Sequence, residues 1–251
     1  MKVGWLADTT DVLGGAEFTQ SEFRAASPEG VEIIDCPAGE VVEGLDRYVI
    51  HNCVKYTLQD LRALEGKPTV KYWHDVGPWL ELGVTAWLHT NAQAKICCSP
   101  IQAEHMRIDD PVLIPPPVDL ARFEQAAMGV NGDRAGSVCV ASWRNAGKGQ
   151  KKALEWAESN GGLDFYGGGH LAPPGSQNVP YEQMPELLAH YKTFVFLPTV
   201  IEPFGRLVAE AWAAGCEVVT NWLVGARYWI EENPDAIDTA AEDFWRVVLD
   251  A

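Results

Sequence analysis

Two carboxylates with seven residues between them, and the helix start that lies there, set the chemistry open to this chain. Glu202 lies in the loop that follows the apolar run Phe194–Pro198, and Glu210 lies inside the helical segment that comes next. The helix start leaves backbone N–H groups without intrahelical partners at about Phe204, Gly205, Arg206 and Leu207, and such groups suit an anion. A carboxylate accepts two hydrogen bonds from a diol. Amides for phosphate beside acceptors for vicinal hydroxyls describe a pocket for a nucleotide sugar.

Four cations fall within nine residues at Arg144, Lys148, Lys151 and Lys152. Arg144 and Lys148 follow an apolar strand-like run, a position that favours phosphate binding. Lys151 and Lys152 read equally well as a solvated helix start. His74-Asp75 closes the run Val70–Trp73, at the strand edge where α/β proteins place functional groups. From the residues alone, a histidine that caps the following turn has equal weight, and His51-Asn52 at another strand end is the weaker candidate. Gly14-Gly15 follows the first strand and precedes a helix; taken alone it reads as an ordinary turn. Val224-Gly225-Ala226-Arg227 divides evenly between a plain loop and a ligand loop. Gly167-Gly168-Gly169 follows a strand too, but Pro173-Pro174 comes soon after, where a dinucleotide fingerprint requires a helix.

The elements that must position these groups alternate along the chain. Strand-like runs at Lys2–Ala7, Val31–Cys36, Arg47–His51, Thr69–Trp73, Lys95–Ser99 and Val112–Ile114 are interleaved with helical segments Glu17–Ala25, Tyr56–Leu64 and Ile101–Arg107. Several of the strands are continuously apolar, as in a parallel sheet buried on both faces. Ser99-Pro100 supplies an N-cap and a proline at the first helical position. Pro115-Pro116-Pro117 fixes an extended crossing without N–H donors, and the pattern then restarts. The second set has strands Ser137–Ser142, Leu163–Tyr166, Thr193–Leu197 and Cys216–Thr220. Helices at Lys148–Ser159, Met184–Tyr191, Arg206–Ala214 and Ala241–Leu249 lie between and after them. The predicted division is therefore a domain over residues 1–118 and a second over 119–251, each of α/β class.

Composition narrows the classes further. The formal charge is −16, and residues 1–118 and 119–251 each carry about half of it, so neither is a generic nucleic-acid surface. Cys36, Cys53, Cys97, Cys98, Cys139 and Cys216 form no Cys-x-x-Cys pair and mostly sit in apolar runs, which predicts reduced thiols and a cytoplasmic setting. The N-terminus reads as a first strand, too short for a signal peptide, and no run of 18 apolar residues predicts a transmembrane helix.

Five motifs occur in an order that resembles one family. They are Gly14-Gly15-Ala16-Glu17, the segment Ile114-Pro115-Pro116-Pro117-Val118-Asp119-Leu120-Ala121-Arg122-Phe123, Arg144, Lys148-Gly149, and Glu202-x7-Glu210. The chain resembles the GT4-like retaining glycosyltransferases of the GT-B fold, as an unusually short member. The resemblance implies two Rossmann-like domains facing across a cleft, with an acceptor-side domain first and a nucleotide-sugar donor domain second.

It also implies roles. Glu202 and the amides near Phe204 and Gly205 would contact sugar hydroxyls, and Glu210 the ribose. Gly14, Gly15, Arg144, Lys148, Arg206 and Leu207 would hold the rest of the donor, chiefly its diphosphate. His74, with Asp75, would face the reacting sugar. The Gly167–Gly169 cluster would sit at the rim of the donor pocket. No cofactor beyond the nucleoside-diphosphate sugar co-substrate is expected, and no metal, because that fold generally works without one. The acceptor stays open; nucleic acid enters only as a modified-base acceptor of a viral-type enzyme. The alternative of another class is a nucleotide-sugar binding module without transfer. The chain also ends soon after Ala241–Leu249, which leaves little sequence for the last helix that in this family commonly crosses back to the first domain.

Overall fold

In the computed structural model the described residues are 1–8, 14–76, 82–130 and 133–251. The chain divides into two units: one holds Met1–Pro117 together with Asp235–Ala251, and the other holds Val118–Pro234.

The first unit runs β1 (Lys2–Leu6), α1 (Gly15–Ala25), β2 (Glu32–Asp35), β3 (Arg47–Ile50), α2 (Leu58–Arg62), β4 (Thr69–Trp73), α3 (Leu82–Asn91), β5 (Ala94–Cys97), α4 (Pro100–Met106) and β6 (Val112–Leu113). Its sheet has the order β2-β1-β3-β4-β5-β6, parallel throughout. All five residues of β4 are buried, as expected of a strand covered on both faces. The Ser99-Pro100 entry to α4 forms as read: Ser99 is the N-cap, and its hydroxyl accepts from the Gln102 N–H. The strand order reverses direction between β1 and β3. That point, at the carboxyl ends of the strands, is where open α/β sheets place their ligands.

The second unit runs α5 (Leu120–Met128), β7 (Ser137–Val140), α6 (Gln150–Ser159), β8 (Asp164–Tyr166), α7 (Met184–His190), β9 (Thr193–Phe196), α8 (Arg206–Ala213), β10 (Glu217–Thr220) and α9 (Gly225–Glu232). Its parallel sheet has the order β10-β9-β7-β8, so the corresponding reversal lies between β7 and β9.

The chain then gives two more helices to the first unit, α10 (Asp235–Asp238) and α11 (Ala240–Asp250). This corrects the predicted division, which left all of 119–251 in the second domain and found little sequence for a returning helix. The predicted last helix is itself the returning one. Ala240, Phe244, Trp245 and Val248 recur on one side of α11 and are all buried. Phe244 stacks on Phe23 with ring centroids 4.0 Å apart, and Trp245 Nε1 donates to the Phe23 carbonyl at 2.6 Å. These aromatic groups gain more from the α1 side of the first sheet than from solvent.

Candidate functional site

In the second unit, the segments leaving β7 and β9 meet at the strand-order reversal. After β7 comes a 3-10 turn, Ala146–Lys148, which Gly149 ends with φ 79°. The predicted helix start at Lys148 is thereby shifted: α6 begins at Gln150, and Lys148 sits on the turn before it. Gly149 is required there, because a Cβ would overlap the Leu197 carbonyl at the end of β9. The Thr199 N–H donates to the Gly147 carbonyl at 2.9 Å and fastens the two segments together. Lys148 Nζ then reaches Glu202 Oε2 at 2.5 Å, with both side chains partly exposed.

Glu202 is fixed from its other side as well. Its N–H donates to the Leu223 carbonyl at 2.8 Å, and its carbonyl accepts from the Gly225 N–H at 3.0 Å. The Val224–Arg227 loop is therefore the entry to α9, latched to the Glu202 loop. Phe204 is buried, and its carbonyl accepts from the Ala226 N–H at 2.6 Å. Gly205 takes φ 84° and serves as the N-cap of α8 without a side-chain cap, so Arg206 and Leu207 open the helix. A helix N-terminus of this kind attracts negative charge.

Glu210 lies one turn further along α8, fully buried. Its Oε1 accepts from the Tyr181 hydroxyl at 2.6 Å and from Arg206 Nε at 3.0 Å. Tyr181 joins the site with no motif to announce it; burial, followed by the Glu210 charge, raises its phenol well above the ordinary value. Arg144 is exposed on the loop after β7. The Gly167–Gly169 cluster has a packing cause. Trp143 N–H donates to the Gly168 carbonyl at 2.9 Å, and a Cβ on Gly167 or Gly169 would overlap the Ala141 or Trp143 backbone.

In the first unit, His51 and His74 follow the adjacent strands β3 and β4, next to the reversal between β1 and β3. His51 Nδ1 and His74 Nε2 are 2.8 Å apart. His51 is buried and stacks on Trp5 with centroids 4.4 Å apart. Lys71 is buried in β4; its ammonium donates to the His51 carbonyl and lies 4.9 Å from the Trp73 ring centroid. Burial first, and the Lys71 charge after it, pull His74 down to about 3. The same burial, with His74, Lys71 and Arg24 adding to it, holds His51 well below its ordinary value. Both imidazoles are neutral at pH 7.

Asp75 is exposed, and its carbonyl accepts from Gln102 Nε2 at 3.2 Å. Gly14 has φ −170°, extended backbone open to any residue, and a Cβ on Gly15 would meet open space. Gly14 thus owes nothing to positive φ, and a Cβ there would crowd only Glu17 Oε2, at 3.3 Å, the far end of a side chain. Lys148, Glu202, Arg206 and Glu210 belong to the second unit, and Gly14, Gly15, His74 and Asp75 to the first. Among the described residues no group of three His, Cys, Asp or Glu side chains is placed to hold a metal ion. No described helix is long and apolar enough to cross a membrane.

No protein-family model matches the sequence, and no curated protein matches it significantly. Solved structures do match. Anabaena HepE in complex with UDP-glucose is 16% identical, with 99% of this chain and 92% of that one covered and a TM-score of 0.65. AviGT4, a glycosyltransferase involved in avilamycin A biosynthesis, is 16% identical over the same shares, with a TM-score of 0.64. An α-glucosyltransferase in complex with UDP and a 13-mer DNA containing an HMU base is 13% identical, covering 87% of this chain and 79% of that one, with a TM-score of 0.55. Likeness at such identities defines the fold. The chain has the α/β fold with two parallel sheets that these GT-B glycosyltransferases share.

Proposed function

We propose that this protein is a glycosyltransferase that moves a sugar from a nucleoside diphosphate, with retention of configuration and without a metal ion. The observation that carries the reading is the Lys148–Glu202 pair at the strand-order reversal of the second sheet, followed directly by the uncapped start of α8. A cation and helix amides suit a diphosphate, and a neighbouring carboxylate suits sugar hydroxyls. Lys148, Arg206 and the α8 amides take up charge as the diphosphate departs, the work a metal ion does elsewhere. Arg144, exposed on the same loop system, adds to that charge. Glu202 accepts hydroxyls of the sugar, and Glu210 serves the ribose through an arrangement already held by Tyr181 and Arg206. His74, with Asp75, is the first unit's contribution on the substrate side, and Gly14-Gly15 leaves open backbone for a ligand. Retention follows the resemblance of Glu202-x7-Glu210 to the retaining group. A charge of −16 disfavours a polyanionic duplex as acceptor and favours a small or uncharged one.

Turnover of UDP-, GDP- and ADP-sugars, with mass spectrometry of candidate acceptors, tests the reading. At least one donor is expected to be consumed equally well with and without EDTA. Binding without turnover on any acceptor would favour a nucleotide-sugar binding module, and loss with EDTA restored by Mg²⁺ would overturn the metal-free step.

Glu210→Gln is expected to weaken nucleotide-sugar binding by roughly 1–3 kcal/mol, the scale of a charged hydrogen bond. Because the carboxylate is buried against Arg206 and Tyr181, the melting temperature of the variant should fall as well. Titration calorimetry on the folded variant reads the first effect; unchanged affinity removes Glu210 from the ribose.

A further inference from the structure

We infer that His51 is a positioning residue that sets the tautomer of His74, so that His74 carries its proton on Nδ1 and offers that N–H to substrate. The inference rests on the functional reading above for the word substrate, and on the first unit alone for the rest.

One proton must lie between His51 Nδ1 and His74 Nε2, which are 2.8 Å apart. Two neutral arrangements supply it. In one, both rings carry their proton on Nδ1; in the other, both carry it on Nε2. The surroundings of His51 choose between them. Its Nε2 is buried and has no hydrogen-bond partner among the described residues. Trp5 from β1, Phe23 from α1, Tyr72 from β4 and Phe244 from α11 enclose the ring. A proton on Nε2 would strand a donor among aromatic rings, and orphaned buried N–H groups are rarer than bare acceptors. A proton on Nδ1 leaves only a lone pair there. The charged groups near the ring, Lys71 on β4 and Arg24 on α1, are both cations and also favour bare nitrogen and neutral rings.

The ring plane is fixed too. Trp5 stacks on His51 at an interplanar angle of 22°, and Gln20 Oε1 accepts from Trp5 Nε1 at 3.3 Å. Lys71 holds the His51 carbonyl in place. His74 Nε2 is thus occupied, while its Nδ1 has no hydrogen bond to any described residue and the residue is partly exposed. A neutral N–H in that position can donate to a substrate oxygen without bringing in a charge.

Two-bond ¹H–¹⁵N spectra of the full chain with ¹⁵N-labelled histidine read the tautomers directly. Both rings are expected in the Nδ1–H form, the minority form of free neutral imidazole. His51→Phe keeps the shape and removes the donor, so His74 should revert to Nε2–H. His51→Asn returns an N–H at the place of Nδ1 and should restore Nδ1–H on His74. With the best donor of the panel, His51→Phe should lose turnover by about tenfold, the equivalent of one ordinary hydrogen bond, with KM for that donor little changed, and His51→Asn should recover most of it. Nε2–H at His74 in the natural protein overturns the inference, as does a His74 tautomer indifferent to His51→Phe. The natural-sequence spectrum decides this even if the Phe variant does not fold. Nδ1–H at both rings without turnover of any donor would uphold the pairing and overturn the functional reading.

Discussion

Lys148→Ala is expected to lower sugar transfer by roughly 100- to 1,000-fold, the loss that follows removal of one group aimed at charge developing in a transition state. The fold should barely notice. The Lys148–Glu202 pair is partly exposed on both sides, and pairs of that kind contribute no more than about 1 kcal/mol. The turn that carries Lys148 is held by Gly149 against Leu197 and by the Thr199–Gly147 hydrogen bond, neither of which involves the lysine side chain. Steady-state kinetics with the best donor, beside a thermal melt, separates the two effects. A variant that melts much earlier and loses activity in proportion would make Lys148 a scaffold residue. A variant that is stable and fully active would remove it from the diphosphate.

Phe244→Ala is expected to destabilise the first unit by about 3–5 kcal/mol, the range for emptying a large aromatic site in a core. Phe244 is fully buried, stacked on Phe23 and near Trp5, His51 and Tyr72. Native-state hydrogen exchange should show the amides of β1, β3 and β4 losing protection while those of β7 and β9 keep theirs. Trp222→Ala, at a highly exposed indole of the second unit, is the control. It should leave stability nearly unchanged, as substitutions on an open surface usually do. A loss for Phe244→Ala no larger than that of the control would mean that α11 rests on the sheet without completing its core.

The strands were legible because burial on both faces writes continuous apolar runs, and Thr69–Trp73 emerges as the fully buried β4. The Ser99-Pro100 cap was legible for the same kind of reason: its signal is local. The sequence predicts Lys148 at the start of a helix, and it sits instead on the 3-10 turn just before that helix. Only the approach of Leu197, from a strand much later in the chain, shows why Gly149 must break the helix there. The ownership of α11 was hidden for a related cause. Its amphipathic face is plain in the sequence, but the partner of that face is Phe23, near the opposite end of the chain, and no periodicity names a partner. In the candidate site the two glutamates carried a pattern and Tyr181 carried none. His51 and His74 each stood at a strand end, yet their pairing needs the β3–β4 register, which the sheet alone supplies.

The return of α11 gives the chain an order of manufacture. As the protein leaves a ribosome, the first six strands emerge early, but the helix that covers their aromatic side is made only after the whole of the second unit. All of Val118–Pro234 must be synthesised in between. At ordinary rates of translation that delay is on the order of ten seconds. Throughout that interval Trp5, Phe23 and the ring of His51 lack Phe244 and Trp245. A nascent chain halted anywhere before Ala240 therefore carries an unfinished apolar face, whereas the second unit can close as soon as its own last helix, α9, is out.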